Sequence, residues 1–365
     1  MRLPQIKDDY DPCTFIYKPT PEDNAVTALQ WIEVFRASTP TFAKYALQDE
    51  TVPAESRTAC VTEFERAFHQ ALDALAAEHG STQRSQEPLN CIILCQVRED
   101  CLKKAGFGDI FRRVKRDENA AALAVLPGVL KNLDGCSDTS ERLELALRGV
   151  LAGNIFDLGA STSAALFDRD GAAASFVSTR TKLLPRPWVI DDLDTSVQRL
   201  ALAGTTGQYK KAMLFVDNAG SDVVLGMLPF ARELLRLGMK VVLAANRGPT
   251  INDITAEELQ AVVQEAARLD NSFRQASQEG KLAVVSSGSD LPVIDLRLLS
   301  QEVVDCAQDV DLVILEGMGR SIETNLNAGL RCDSMRIGMV KHPEVATCLK
   351  GRLLDCVCKF IPGSA

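Results

Sequence analysis

The fold class that the sequence predicts is α/β: a Rossmann-like three-layer α/β/α sandwich with a mostly parallel sheet, joined to a helical N-terminal region. Three observations predict it. From about Lys210 onward, short apolar runs alternate with helical patterns. Those runs are apolar almost throughout rather than at every second residue, as in strands buried on both faces. Before residue 180 the same rhythm is missing, and 3.6-residue periodicity dominates. The chain therefore reads as residues 1–180, helical and packed on the core, and residues 181–365, the α/β core.

Element by element, Thr27 to Arg36 spaces its apolar residues helically. Val61 to Ala77 does so more strongly, with Phe64, Phe68, Leu72, Leu75 and Ala76 on one face. Gly80 to Pro88 is polar and loop-like. Helical patterns return at Leu94 to Lys104, Ile110 to Leu126 and Ser140 to Leu151. Pro185 to Asp192 begins as a rigid turn and enters a strand at Trp188 to Ile190. The α/β part then runs MLFVDN (strand), VVLGMLPFARELLRLG (helix), MKVVLAAN (strand), Thr255 to Leu269 (helix), LAVVSSG (strand), Leu296 to Ala307 (helix), VDLVILEG and MRIGMVK (strands), Glu344 to Leu349 (helix) and LLDCVCKFI (a sixth strand).

Composition sets the bounds on function. The 365 residues are 46% hydrophobic and 24% charged, which is ordinary for a globular protein and excludes global disorder. With 40 Lys+Arg against 49 Asp+Glu the net charge is −9. An acidic chain is a poor nucleic-acid binder, because phosphate contacts need clustered cations. A phosphate ligand would need a local positive device. The eleven cysteines form no CxxC pair and there are only three histidines, so structural zinc is not expected. Free thiols point to a reducing compartment. The N-terminus carries neither a signal nor a transit peptide pattern, and no apolar stretch approaches the ~20 residues of a membrane span. A cytoplasmic location with no membrane contact is the expectation; nothing in the sequence sets an oligomeric state.

In open parallel sheets ligands bind beyond the carboxyl ends of the strands. Five successive strand ends deliver polar residues: Asp217 and Asn218 before Gly220 and Ser221; Asn246, with Asn252 and Asp253 following; Ser286 to Asp290; Glu316, Gly317 and Arg320; and Lys341 with His342. Asp217, Asn218 and Asp253 are hard oxygen donors suited to Mg²⁺ or Mn²⁺ with a substrate phosphate. The plainer reading of Asp217 is a turn or helix cap; its neighbours and Asp253 favour the metal. Gly220 and Ser221 start a helix whose N–H groups can hold an anion, although Ser221 or Asp222 can equally be a simple N-cap. Gly288, Gly317 and Gly319 allow close backbone approach. Lys341 can neutralise a phosphate or can be a solvated surface lysine.

Neither GxGxxG nor a Walker A signature occurs, which lowers kinase and hydride-transfer readings. A GxSxG elbow is also absent, and His69 and His79 fall in the helical region, away from any strand end. Asn154 and Asp157, in GNIFDLG, line a pocket or pack a helix. Asp191 and Asp192 are candidate ligands or the cap of a strand end.

Taken together, FVDNAGSD, AANRGPTIND, GNIFDLG and above all EGMGR (Glu316 to Arg320) resemble the metal-dependent damage-control phosphatases, formerly domain of unknown function 89. EGMGR resembles the mark of the subfamily that holds stand-alone plant-type proteins and the phosphatase half of a pantothenate kinase fusion. The resemblance covers nearly the whole chain, including REDCLKKAGFGDIF and KRDEN. It implies a Rossmann-like phosphomonoesterase whose divalent metal (Mg²⁺, Mn²⁺, Ni²⁺ or Co²⁺) sits on Asp217, Asn218 and Asp253. It implies small phosphorylated metabolites as substrates, with 4′-phosphopantetheine and its S-oxidised forms foremost. Lys341 matches the phosphate-side lysine, and Asn154 and Arg320 match motif positions near the pocket. Ser221, Asn246, Glu316 and Gly317 complete the expected substrate side. Asp217 or Asp253 orients or deprotonates the attacking water, or Asp217 attacks directly. Two rival readings are an S-adenosylmethionine-dependent methyltransferase and a non-catalytic phosphometabolite sensor. The first lacks its glycine loop where Asp217-Asn218 stands; the second predicts a lost metal ligand, and none is lost.

Overall fold

The computed structural model describes residues 1–19, 26–79, 88–155, 176, 179–180 and 183–364. Most of the 80–88 loop expectation and Asp157 lie outside these residues. Among these residues five helices come first: α1 (Ala28–Ala46), α2 (Ala54–His79), α3 (Cys91–Lys104), α4 (Arg112–Asp134) and α5 (Thr139–Ile155). Thr27 and Gln30 form a capping box that starts α1. That helix runs ten residues past the expected end at Arg36, through Pro40, and α4 likewise carries Pro127 inside it. An interior proline removes one helical hydrogen bond; here the buried stripes Phe42–Ala43–Ala46 and Val129–Leu130–Leu133 beyond each proline outweigh that loss.

The second part carries β1 (Ile190–Asp191), α6 (Leu193–Thr206), β2 (Lys211–Phe215), α7 (Leu228–Arg236), β3 (Lys240–Ala245), α8 (Ala256–Leu269), α9 (Asn271–Gln278), β4 (Leu282–Ser286), α10 (Gln301–Ala307), β5 (Leu312–Glu316), β6 (Asp333–Met339), α11 (Pro343–Leu349) and β7 (Cys356–Ile361). Two π-type segments interrupt the pattern, Asp222–Met227 leading into α7 and Gly319–Glu323 after β5. The strand expected at 188–190 is shifted to β1, and the helix expected from Leu296 begins only at Gln301, capped by Ser300.

The seven strands lie in the order β1-β7-β6-β5-β2-β3-β4, and every pair is parallel except β6 with β7. Within a strand, alternate residues enter different cores, as the two-residue period requires. Leu214, Val216, Leu243 and Ile314 join residues of α4 to α9 in one cluster. Met213, Phe215, Val242 and Val313 join α10 and an N-terminal strap bearing Leu3, Ile6 and Tyr10 in another. Helices α1 to α3 build a third cluster that reaches Met318, Ile322 and Val340 beside the strand ends. The chain leaves β2 for β3 and β4 on one side and returns to β5 on the other. The crevice between β2 and β5 is therefore the topological switch point, where such sheets bind their ligands.

Candidate active site

Three residues enter that crevice directly from strand ends. Asp217 stands two residues beyond β2, Glu316 closes β5, and Asn246 follows β3. Asp253 reaches them from the β3–α8 loop. The loop folds back so that Asn218 and Asp253 form an isolated bridge, Ile254 N–H donates to the Asp217 carbonyl at 3.0 Å, and Ala219 N–H donates to that of Asn252 at 2.9 Å. Ile251 holds φ 37°, a left-handed conformation costly for a β-branched residue and found where surrounding contacts over-determine the backbone.

All four site acids, Asp217, Asp222, Asp253 and Glu316, are buried, and so is Arg320. Arg320 donates Nη1–H to Asp217 Oδ1 and Nη2–H to Asp253 Oδ2, and Nη2 also donates to Asn246 Oδ1 at 3.0 Å. The other Asp217 oxygen accepts from Asn218 Nδ2 at 2.8 Å, and its backbone N–H donates to Glu316 Oε2 at 2.9 Å. Asn154, at the end of α5, donates from one amide to Asp222 Oδ2 at 2.7 Å and to Glu316 Oε1 at 3.1 Å, and accepts from Met339 N–H at 3.2 Å. Gly317 (φ 93°) lies so close to Asp217 that an added Cβ would sit 2.2 Å from its carboxylate.

Of the residues expected in the site, Asp217, Asn218, Asp253, Asn246, Asn154, Glu316, Gly317 and Arg320 therefore form one continuous buried network. Lys341 stands at the rim, partly exposed, and its charge reaches Asp217 and Asp222. Ser221 is buried at the start of the first π-type segment, and its side chain makes no capping bond. Asp191 and Asp192 lie elsewhere. Asp191 pairs with Arg186 at 2.7 Å, and Asp192 accepts from Phe360 N–H at 2.9 Å, both in bracing roles.

Several residues in the network were not singled out from the sequence. Asp222 is the first: with Asp217 and Glu316 it forms a trio of carboxylates with oxygens within 4.8 Å of one another. Asn119 accepts from Gly220 N–H at 2.7 Å, and Glu118 packs against Gly220, where a Cβ would stand 2.8 Å from Oε2. Lys115 is fully buried; it pairs with Asp109 at 3.0 Å and Glu258 at 2.9 Å, and donates to the Asp253 carbonyl at 3.5 Å. The only advance signal for these three was the KRDEN string; nothing in its spacing tied it to a strand end 100 residues on.

Burial drives the electrostatics. It pushes the Asp217 carboxyl well above the ordinary range against the pull of Arg320, and Asp253 and Asp222 push the same way. Glu316 is driven well above its usual value by burial and by Asp222 and Asp217, and Asp222 is raised mainly by burial. Asp217, Asp222 and Glu316, buried together beside one guanidinium, hold either protons or a further cation. The donors fit a hard divalent ion. They are carboxylate and amide oxygens without a thiolate, and the buried Asn218 Oδ1 accepts no hydrogen bond from any described group. The side chains around them are buried, so charge placed here acts at low dielectric.

Comparison with known proteins agrees with this architecture. The profile of the damage-control phosphatase ARMT1-like domain matches residues 34–357. Damage-control phosphatase At2g17340 of Arabidopsis thaliana is 46% identical over 359 residues, covering 97% of this chain and 94% of its own. The 4′-phosphopantetheine phosphatase of Mus musculus is 30% identical over 393 residues, covering 93% of this chain but 46% of that longer protein. A DUF89 family protein of Pyrococcus horikoshii superposes with a TM-score of 0.60 at 18% identity, over 90% of this chain and 96% of that one.

Proposed function

The chain belongs to the damage-control phosphatase ARMT1-like family, and from that premise we propose that this hydrolase of phosphomonoesters acts on 4′-phosphopantetheine and its S-oxidised forms, with a divalent metal, in a reducing cytoplasmic setting. The observation that carries the reading is the convergence of Asp217 and Asp253 on Arg320 at the switch point of the sheet, with Asn218 bonded to Asp217 and bridged to Asp253. The substrate class is supported by the mouse relative's activity. The compartment is supported by the free cysteines and by the lack, among the described residues, of a helix able to cross a membrane.

Asp217, Asn218 and Asp253 would hold the ion, and Mg²⁺, Mn²⁺, Ni²⁺ and Co²⁺ all suit such oxygens. When bound, it supplies Lewis-acid charge to the phosphoryl oxygens. The protein's own groups do the rest. Lys341 and Arg320 neutralise the remaining phosphate charge. Asn154 locks Asp222 and Glu316 in place. Water attacks phosphorus in line: a new P–O bond forms, the ester P–O bond breaks, a site carboxylate takes the water proton, and that proton is returned to the departing alkoxide, which leaves as the alcohol. Both oxygens of Asp217 already accept hydrogen bonds, which favours a fixed, orienting carboxylate over an attacking one.

The test is phosphate release from a panel of phosphorylated metabolites with each of the four metals. We expect turnover of 4′-phosphopantetheine that depends on added metal, and its loss in a folded Asp217→Ala variant. Undiminished release by that variant with Mn²⁺ would remove Asp217 from the metal site.

A further inference from the structure

Both terminal nitrogens of Arg320 engage the carboxylates that the reading above assigns to the ion. We propose that Arg320 is an exchangeable counter-cation. Its guanidinium and the divalent ion compete for Asp217 and Asp253, and the displaced guanidinium moves onto the substrate phosphate, so that metal and phosphate bind cooperatively. The inference rests on the metal reading, which already places Arg320 on the phosphate, and adds that Arg320 holds the ion's carboxylates beforehand and couples the two binding events.

The geometry points there from four sides. The two nitrogens address two different carboxylates rather than making a bidentate pair with one. Each Asp217 oxygen already accepts one bond, from Arg320 or from Asn218, so a divalent ion on Asp217 stands beside a like-charged guanidinium, and that guanidinium is the donor it repels. The backbone of Arg320 is anchored independently of its side chain: its carbonyl accepts from Asn325 Nδ2 at 3.2 Å and Thr324 Oγ1 at 3.3 Å, and Ser321 N–H donates to Gly317 at 3.0 Å. The guanidinium also holds a neutral partner, Asn246 Oδ1 at 3.0 Å, which remains a pivot when the carboxylate bonds exchange. A buried arginine is not left unpaired at low dielectric. The phosphate is the anion that would satisfy it.

Mn²⁺ affinity, read by water-proton relaxation with and without inorganic phosphate, tests this without turnover. In wild type, phosphate should tighten Mn²⁺ binding. Arg320→Gln should bind Mn²⁺ more tightly than wild type in the absence of phosphate, on the order of tenfold, and gain less from phosphate. Arg320→Lys, a single point charge that cannot bridge two carboxylates, should fall between and supplies the contrast if the glutamine variant does not fold. Weaker or unchanged Mn²⁺ affinity in the folded variants, or an equal phosphate effect in all three proteins, overturns the proposal, and the first is what a merely structural arginine gives. Failure of wild type to bind Mn²⁺ sinks the metal reading as well, whereas normal binding that ignores Arg320 sinks this inference alone.

Discussion

At the scale of single residues, Gly317 shows how close the loop after β5 comes to the chemistry. Its φ of 93° and its approach to Asp217 leave no space for a methyl group. Gly317→Ala should therefore shift the Asp217 carboxylate and lower kcat/KM by about 10²-fold, the loss that a misplacement near 1 Å brings. Retained activity together with an unchanged melting temperature would contradict this. The sequence made much of this network legible, because Asp217, Asn246 and Glu316 sit at or just beyond strand ends, with Arg320 four residues after β5, and strand ends are readable as stops in apolar runs. Asp222 was hidden. Five residues beyond Asp217, it looked like an N-cap. Its carboxylate is aimed at Asn218 and Asn154 by a π-type turn, whose wider winding leaves no mark in the hydrophobic pattern. Lys115, Glu118 and Asn119 were hidden differently, since only the tertiary fold brings α4 against Gly220 and Asp253.

At the scale of elements, α5 crosses the first π-type segment at backbone contact. A Cβ on Gly153 would stand 2.9 Å from the Ser221 carbonyl oxygen and 3.0 Å from Asp222 Cα, and one on Gly226 would stand 3.0 Å from Val150 Cα. These small residues let Asn154 reach across to Asp222 and Glu316. Gly153→Ala should push the helix outward, cost roughly 1–3 kcal/mol of stability by overpacking, and lower kcat more than it changes KM. Equal stability and full kcat would show that the crossing has slack. Elements were legible where periodicity was long, as in α2, and less so at their ends. The expected ends of α1 and α4, Arg36 and Leu126, fall before prolines that buried residues on both sides carry within the helices. The antiparallel course of β7 had no local signal, because an apolar run does not state its direction.

At the scale of the whole molecule, Glu323 links the second π-type segment to the cluster built by α1 to α3. Burial raises its carboxyl from 4.5 to about 7, opposed by Arg98. The folded state thus holds a proton that the unfolded chain releases near pH 4.5. The stabilisation is complete below that pH and is lost as pH rises toward about 7. Glu323→Gln should flatten this part of the stability profile, so that the variant gains on wild type between pH 5 and 7.5 in thermal melts. Parallel profiles would show that Glu323 titrates normally. The sheet order has a consequence of another kind. Strand β7, residues 356–361, lies inside the sheet between β1 and β6. While the chain is being made, β6 keeps a bare edge and β1 lacks its pairing with β7 until β7 has left the ribosome. Closure of this sheet therefore waits for β7. A nascent chain stopped just short of β7 carries Asp217, Asp253, Glu316 and Arg320 but an open sheet, which marks it for chaperones and proteases rather than for catalysis.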